Sequence, residues 1–130
     1  MKLEILTLCG SAKAIGGAIT IKDATDRMYS DKPAGIISPC CFVFRIRFDP
    51  PELGNHTIKI ELTNEDGEPL FPPVRKPIQA TIPEGLSTGV NVGILNFERI
   101  LFPKYGGYGL NFYVDEKLLG SQCLYCCPKT

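Results

Sequence analysis

The chain has no tryptophan, a single histidine (His56) and no block of like charge. Each shortage excludes something. Ser-His-Asp and Cys-His catalysis both turn on an imidazole that takes and returns a proton, so any such machine would have to be built on His56 alone. That residue follows a glycine turn and heads an alternating strand, a place that suits a ring bonded to a neighbouring loop. A structural role is expected. Fourteen Lys and Arg balance fourteen Asp and Glu. Nucleic-acid binders draw affinity from phosphate neutralisation and carry a basic excess or stripe, so no nucleic-acid partner is expected. The same neutrality offers little self-repulsion and permits self-association. No stretch approaches the ~18 apolar residues of a membrane span. Residues 1–9 alternate, interrupted by Glu4 and Thr7, and do not form the apolar core of a signal peptide. No membrane partner is expected, and a cytoplasmic location is.

The sequence also lacks a P-loop, a GxGxxG after a strand, a GxSxG and an HExxH. The Gly106-Gly107-Tyr108-Gly109 cluster is no phosphate loop, because no helix follows to supply its N-terminus. Acidic pairs at Glu65-Asp66 and Asp115-Glu116 sit where turns are expected, with their charge in solvent. No catalytic residue, cofactor or metal is assigned.

No window of 11 or more residues shows a 3.6-residue period. The apolar period is two almost throughout, the mark of half-buried strands. Phe42, Phe44, Ile46 and Phe48 share one face, with Cys41, Val43, Arg45 and Arg47 on the other. Ile58, Ile60 and Leu62 alternate with Thr57, Lys59 and Glu61. Ile78, Ala80 and Ile82 form an apolar row, as do Val90, Val92 and Ile94 against Asn91 and Gly93. Tyr108, Leu110, Phe112 and Val114 run against Gly109, Asn111 and Tyr113. Residues 3–9, 17–29 and 117–126 complete the set. Turn signals separate the runs: Gly16-Gly17, Asp49 to Gly54, Asn64 to Gly67, Phe71-Pro72-Pro73, Pro83-Glu84-Gly85 and Asp115-Glu116. Eight or nine strands at this spacing, with little or no helix, predict one all-β domain over residues 1–130. The expected architecture is a two-sheet antiparallel β-sandwich of Greek-key, immunoglobulin-like type.

One local feature favours that sandwich. Gly106 lies two residues before Tyr108, which opens an apolar strand, as in the tyrosine corner that ties a crossover loop to its strand. Gly54-Asn55-His56 repeats the pattern more faintly after the other crossover.

Six cysteines are present. Cys123 and Cys126 form a CxxC with Cys127 adjacent, and Cys40-Cys41 form a second pair. Tetrahedral zinc wants four sulfur or nitrogen ligands on short knuckles. In a strand, however, Cys123 and Cys127 share one face while Cys126 takes the other, and Cys40 and Cys41 also face opposite ways. Small buried hydrophobes are the default reading. Asp23, Asp26, Arg27, Arg45 and Arg47 are expected in cross-strand pairs, the alternative being a polar binding face.

These segments also resemble a family of small bacterial β-sandwich proteins known as a domain of unknown function. The likeness is carried by Thr7-Leu8-Cys9, Ala24-Thr25-Asp26-Arg27 and the Arg45 to Phe48 strand. Glu52, Gly54 and His56, the Asp66-Gly67 turn with Pro72-Pro73, Asn91 to Asn96, and Phe102, Pro103, Gly106 and Tyr108 extend it across nearly the whole chain. The resemblance implies a sandwich of unassigned activity and supplies no catalytic residue. Cys123, Cys126 and Cys127 depart from the apolar closing strand of the family, and Asp115-Glu116 from its more usual Asp-Gly turn.

The leading expectation is a non-enzymatic binding or assembly module, with a protein partner or self-association. Segments near residues 29–39 and 68–77 lack clear pairing and could lie across an edge. The alternative is a metal-binding or redox-responsive protein using Cys40, Cys41, Cys123, Cys126 and Cys127.

Overall fold

A computed structural model describes residues 1–30, 36, 37, 40–97 and 99–129, with the backbone alone at 36, 37 and 40. The described residues are all-β, apart from a single 3-10 turn over Pro50–Glu52. Among the described residues twelve strands stand in place of the eight or nine expected. They are β1 (Lys2–Cys9), β2 (Ser11–Ile15), β3 (Ala18–Lys22), β4 (Arg27–Ser30), β5 (Ile36–Ile37), β6 (Cys40–Phe48), β7 (Gly54–Thr63), β8 (Val74–Ala80), β9 (Gly89–Phe97), β10 (Ile100–Leu101), β11 (Gly106–Val114) and β12 (Lys117–Pro128). A five-stranded sheet has the order β4-β12-β11-β7-β8 and a three-stranded sheet the order β1-β6-β9, with two small pairs, β2-β3 and β10-β5.

The expected purely antiparallel arrangement is corrected at one edge, where β4 runs parallel to β12, Arg27 opposite Tyr125 and Ser30 opposite Pro128. The expected strand over 17–29 is in fact two. Gly16 and Gly17, with φ of 58° and 83°, turn β2 into β3. A bend through Asp23, itself at φ 58°, then releases the chain toward β4. Segment 68–77 is not wholly unpaired: from Val74 onward it is β8, hydrogen-bonded to β7. Pro77 fits there because β8 is an edge and one missing N–H costs no ladder bond on the outer side. Much of the 29–39 segment lies outside the described residues.

One contiguous core takes side chains from both large sheets: Phe42, Phe44 and Ile46 from β6 meet Ile58, Ile60 and Leu62 from β7 and Leu110 and Phe112 from β11. The period-2 reading thus placed the faces of β6, β7 and β11 correctly. In β9 the phase is reversed. Register sets Gly93 opposite Phe44 and Leu95 opposite Phe42, so the odd-numbered residues face the core and Val90, Val92 and Ile94 face out. The reason is the bulk of Phe44. A Cβ at position 93 would lie 2.1 Å from its ring, a place only glycine can leave open.

The outward face of β6 is partly buried as well. The β2-β3 hairpin folds back across it, and Ala12, Ile19 and Ile21 cover Cys9, Cys41 and Val43, with Ile94 joining from β9. Farther along that face Glu4 takes the Nε of Arg45 at 2.9 Å and the Nε of Arg47 at 2.8 Å. Arg47 also donates to Thr88 Oγ1 at 2.7 Å. Both arginines are thereby in cross-strand pairs, but with Glu4 as the shared partner in place of Asp23 or Asp26. Asp26 and Arg27 meet only as exposed neighbours at 3.5 Å.

Tyr108, 5% exposed, closes the tie expected of it. Its hydroxyl donates to the Lys104 carbonyl at 2.6 Å and accepts the Lys104 N–H at 3.3 Å, while Phe102 packs edge-on against the ring at 4.9 Å. Tyr108→Phe keeps the ring packing and strands both backbone groups, so it should cost about 1–3 kcal/mol in chemical denaturation. A loss under a few tenths would show that the loop is held by other contacts.

Candidate functional site

His56 is the third residue of β7, shortly after the 3-10 turn ends at Glu52, and its ring lies between that turn and the turn joining β11 to β12. A groove of about 300 Å³ runs here, lined by Met1, Glu52, His56, Asp115, Lys117 and Leu119. Nε2 lies 2.6 Å from the carbonyl oxygen of Glu52, and Nδ1 lies 2.5 Å from Asp115 Oδ2. A carbonyl and an ionised carboxylate can only accept. Both contacts are satisfied at once only when the ring is protonated and both nitrogens donate. The tie to Glu52 spans four residues, as the tie from Tyr108 to Lys104 does, so the two crossovers are fastened in the same way by different rings.

The sequence places Asp115 in a turn with its charge in solvent. Its side chain is half-exposed, yet it does more. Oδ1 accepts the Thr57 N–H at 3.0 Å, and its own N–H donates to the Thr57 carbonyl at 2.9 Å. Asp115 and Glu116 both occupy left-handed backbone, φ 50° and 67°, as a two-residue hairpin turn demands. Glycine is the cheap solution for the second position. Glu116 instead receives Lys59 Nζ at 3.0 Å, with Arg75 at 3.7 Å. A turn of this type without glycine was the available signal that its side chains hold something.

Electrostatics follow from the geometry. Bonding to Asp115, then to the Glu52 carbonyl, raises the His56 pKa above its usual 6.5 against a smaller opposing effect of burial. The His56 bond, then the Thr57 N–H, lowers Asp115 below 3.8. Glu52 is lowered by the Asp49 N–H and by the Met1 amino group, with which it pairs. A raised histidine contributes stability fully below its unfolded pKa and loses it as pH climbs through the folded value. A lowered aspartate contributes above its unfolded pKa and loses it as pH falls through the folded value. The latch is thus fully engaged between about pH 4 and 6.5 and slackens above. His56→Gln should cost about 1–2 kcal/mol near pH 6 and less as the pH rises. Chemical denaturation at a series of pH values checks this, and an equal loss at pH 6 and pH 9 would mean that the ring is held neutral.

The cysteines proposed as a cluster are not brought together. Cys41 lies on the outer face of β6 under the hairpin. Cys126 points into the core, where burial pushes its thiol pKa up. Cys123 is exposed and Cys127 half-buried, on the outward side of β12. The side chain of Cys40 lies outside the described residues. Among the described residues no group of three or more His, Cys, Asp or Glu could hold a metal ion. None of their helices is long and apolar enough to cross a membrane.

Fold and site together define an all-β domain whose one imidazole is bonded at both nitrogens to the backbone and turn around it. The chain belongs to the family of unknown function DUF6941, whose model matches residues 4–126. No curated protein and no solved structure matches it.

Proposed function

We propose that the chain is an immunoglobulin-like, two-sheet β-sandwich serving in the cytoplasm as a non-enzymatic binding or assembly module for protein partners. The sandwich reading is supported by the order β1-β6-β9 facing β12-β11-β7-β8, by the short β4 beside the last strand, and by the Tyr108 corner at the start of β11. The observation that carries the non-enzymatic part is His56, whose two nitrogens both face groups of the same chain, Asp115 and the Glu52 carbonyl, with neither turned toward a nucleophile. Arg45, Arg47 and Lys59 are likewise paired with carboxylates of the same chain. The binding part rests on balanced charge and on sheet edges, which recognise other chains through main-chain hydrogen bonds. Light crosslinking in the native cell, followed by mass spectrometry, tests it. Discrete crosslinked products, to itself or to another protein, are expected. A chain that stays monomeric at all concentrations and crosslinks to nothing overturns the reading.

A further inference from the structure

Among the described residues, the edges of the two large sheets are β8, β4, β1 and β9, and three of them carry features that discourage pairing. β8 carries Arg75, Lys76 and Pro77. β4 has only four residues, one of them Arg27. β1 has Lys2 and Glu4, a register shift between Leu3 and Ile5, and a bridge from Leu8 to Thr25. These are the usual means of discouraging edge-to-edge pairing. β9, with nine residues reading Gly-Val-Asn-Val-Gly-Ile-Leu-Asn-Phe, contains no charge and no proline, and its register against β6 is unbroken.

The direction of its backbone groups can be derived. Leu8 uses its carbonyl on the Thr25 N–H at 2.9 Å, so its backbone faces away from β6. Directions alternate along antiparallel strands. Phe42, opposite Leu8, therefore faces β9 and bonds Leu95, and the next residues alternate from there. The N–H and C=O groups of Val90, Val92, Ile94 and Asn96 consequently point to the outer edge, where no strand among the described residues pairs with them.

We propose that this edge pairs with the same edge of a second copy, antiparallel about Gly93, which joins two three-stranded sheets into one of six. The inference rests on the reading as an assembly module and names its surface and partner. A two-fold axis at Gly93 sets Val92 opposite Ile94 and Val90 opposite Asn96, so each outward-facing residue meets another and the ladder is self-complementary. No like charges meet across it, and the chain as a whole has a net charge of +0. Apolar support is at hand: β2 lies over β6 and β9, and the hairpin it forms ends in Ile15, 69% exposed.

Sedimentation velocity over a concentration series, with amide hydrogen exchange at both ends of it, tests the pairing. Concentration-dependent dimer formation is expected, with slowed exchange at the amides of Val90, Val92, Ile94 and Asn96 and none at Asn91, Gly93 or Leu95 beyond that of the monomer. Val92→Pro deletes an N–H that no strand among the described residues pairs with, at a position where an edge strand tolerates proline. It should weaken dimerisation at least tenfold. Val90→Lys places a charge on the same edge and should do likewise, so it carries the test if the proline variant does not fold. A wild-type monomer at every concentration overturns the pairing, as does a dimer that both variants leave intact. A wild-type monomer that nonetheless crosslinks to another protein overturns self-pairing and leaves the broader module reading standing.

Discussion

Gly93→Ala should lower stability by about 3 kcal/mol, near the upper end of what overpacking a core costs, although alanine is the better strand residue in open surroundings. The new methyl carbon would lie 2.1 and 2.2 Å from two ring carbons of Phe44, distances that no side-chain pair sustains. Phe44 is 2% exposed and has little room to withdraw, since its ring already lies 4.8 Å from that of Phe112 on the opposite sheet. A fall in melting temperature of roughly 10 °C is the expected signature. Unchanged melting would mean that the ring does not lie over position 93.

Phe112→Ala should cost still more, about 3–5 kcal/mol, because a fully buried ring at the middle of the core is replaced by space that β-strands cannot collapse into. The two substitutions are coupled through Phe44. In the Phe112→Ala background the Phe44 ring can tilt into the vacated volume, so Gly93→Ala should then cost less than about 1.5 kcal/mol. A double-mutant cycle by chemical denaturation measures this directly. Strictly additive losses would sink the proposed line of contact from Gly93 through Phe44 to Phe112.

These three residues also mark how far the sequence could be read. The apolar rows of β6, β7 and β11 alternate cleanly against rows that are less apolar, so period alone was enough to place Phe44 and Phe112 inward. In β9 the more hydrophobic row faces out, because the inward row had to accommodate Phe44 and glycine was the only fit. Hydrophobicity records how apolar a position is and not how much room it has, so the phase of β9 could not be read. Strand endings were legible where turn chemistry is strong, as at Asn64, whose Oδ1 accepts the N–H groups of Asp66 and Glu68, both at 2.9 Å. Between Gly10 and Arg27 only the Gly16-Gly17 turn was legible, and the changes of direction at Gly10 and Asp23 were not. The tie between Tyr108 and Lys104 was legible because both partners lie within a few residues, with Gly106 between them. Half of the His56 latch was legible for the same reason, through Glu52. The other half, Asp115, belongs to a strand far along the chain, and no local pattern connects the two.

The parallel seam between β4 and β12 bears on the way the chain matures. Arg27 must wait for Tyr125, at the far end of the sequence, before its strand has a neighbour. During synthesis the nascent chain therefore carries β4 unpartnered until β12 has emerged, after β6, β7 and β11 have already been made. High sequence separation of this kind slows folding and lengthens the period in which bare strand edges face the crowded cell. Closure of the five-stranded sheet is consequently a late event, and a ribosome stalled before β12 would hold a chain whose core lacks Leu124 and Cys126 and whose first edge is open to any strand that reaches it.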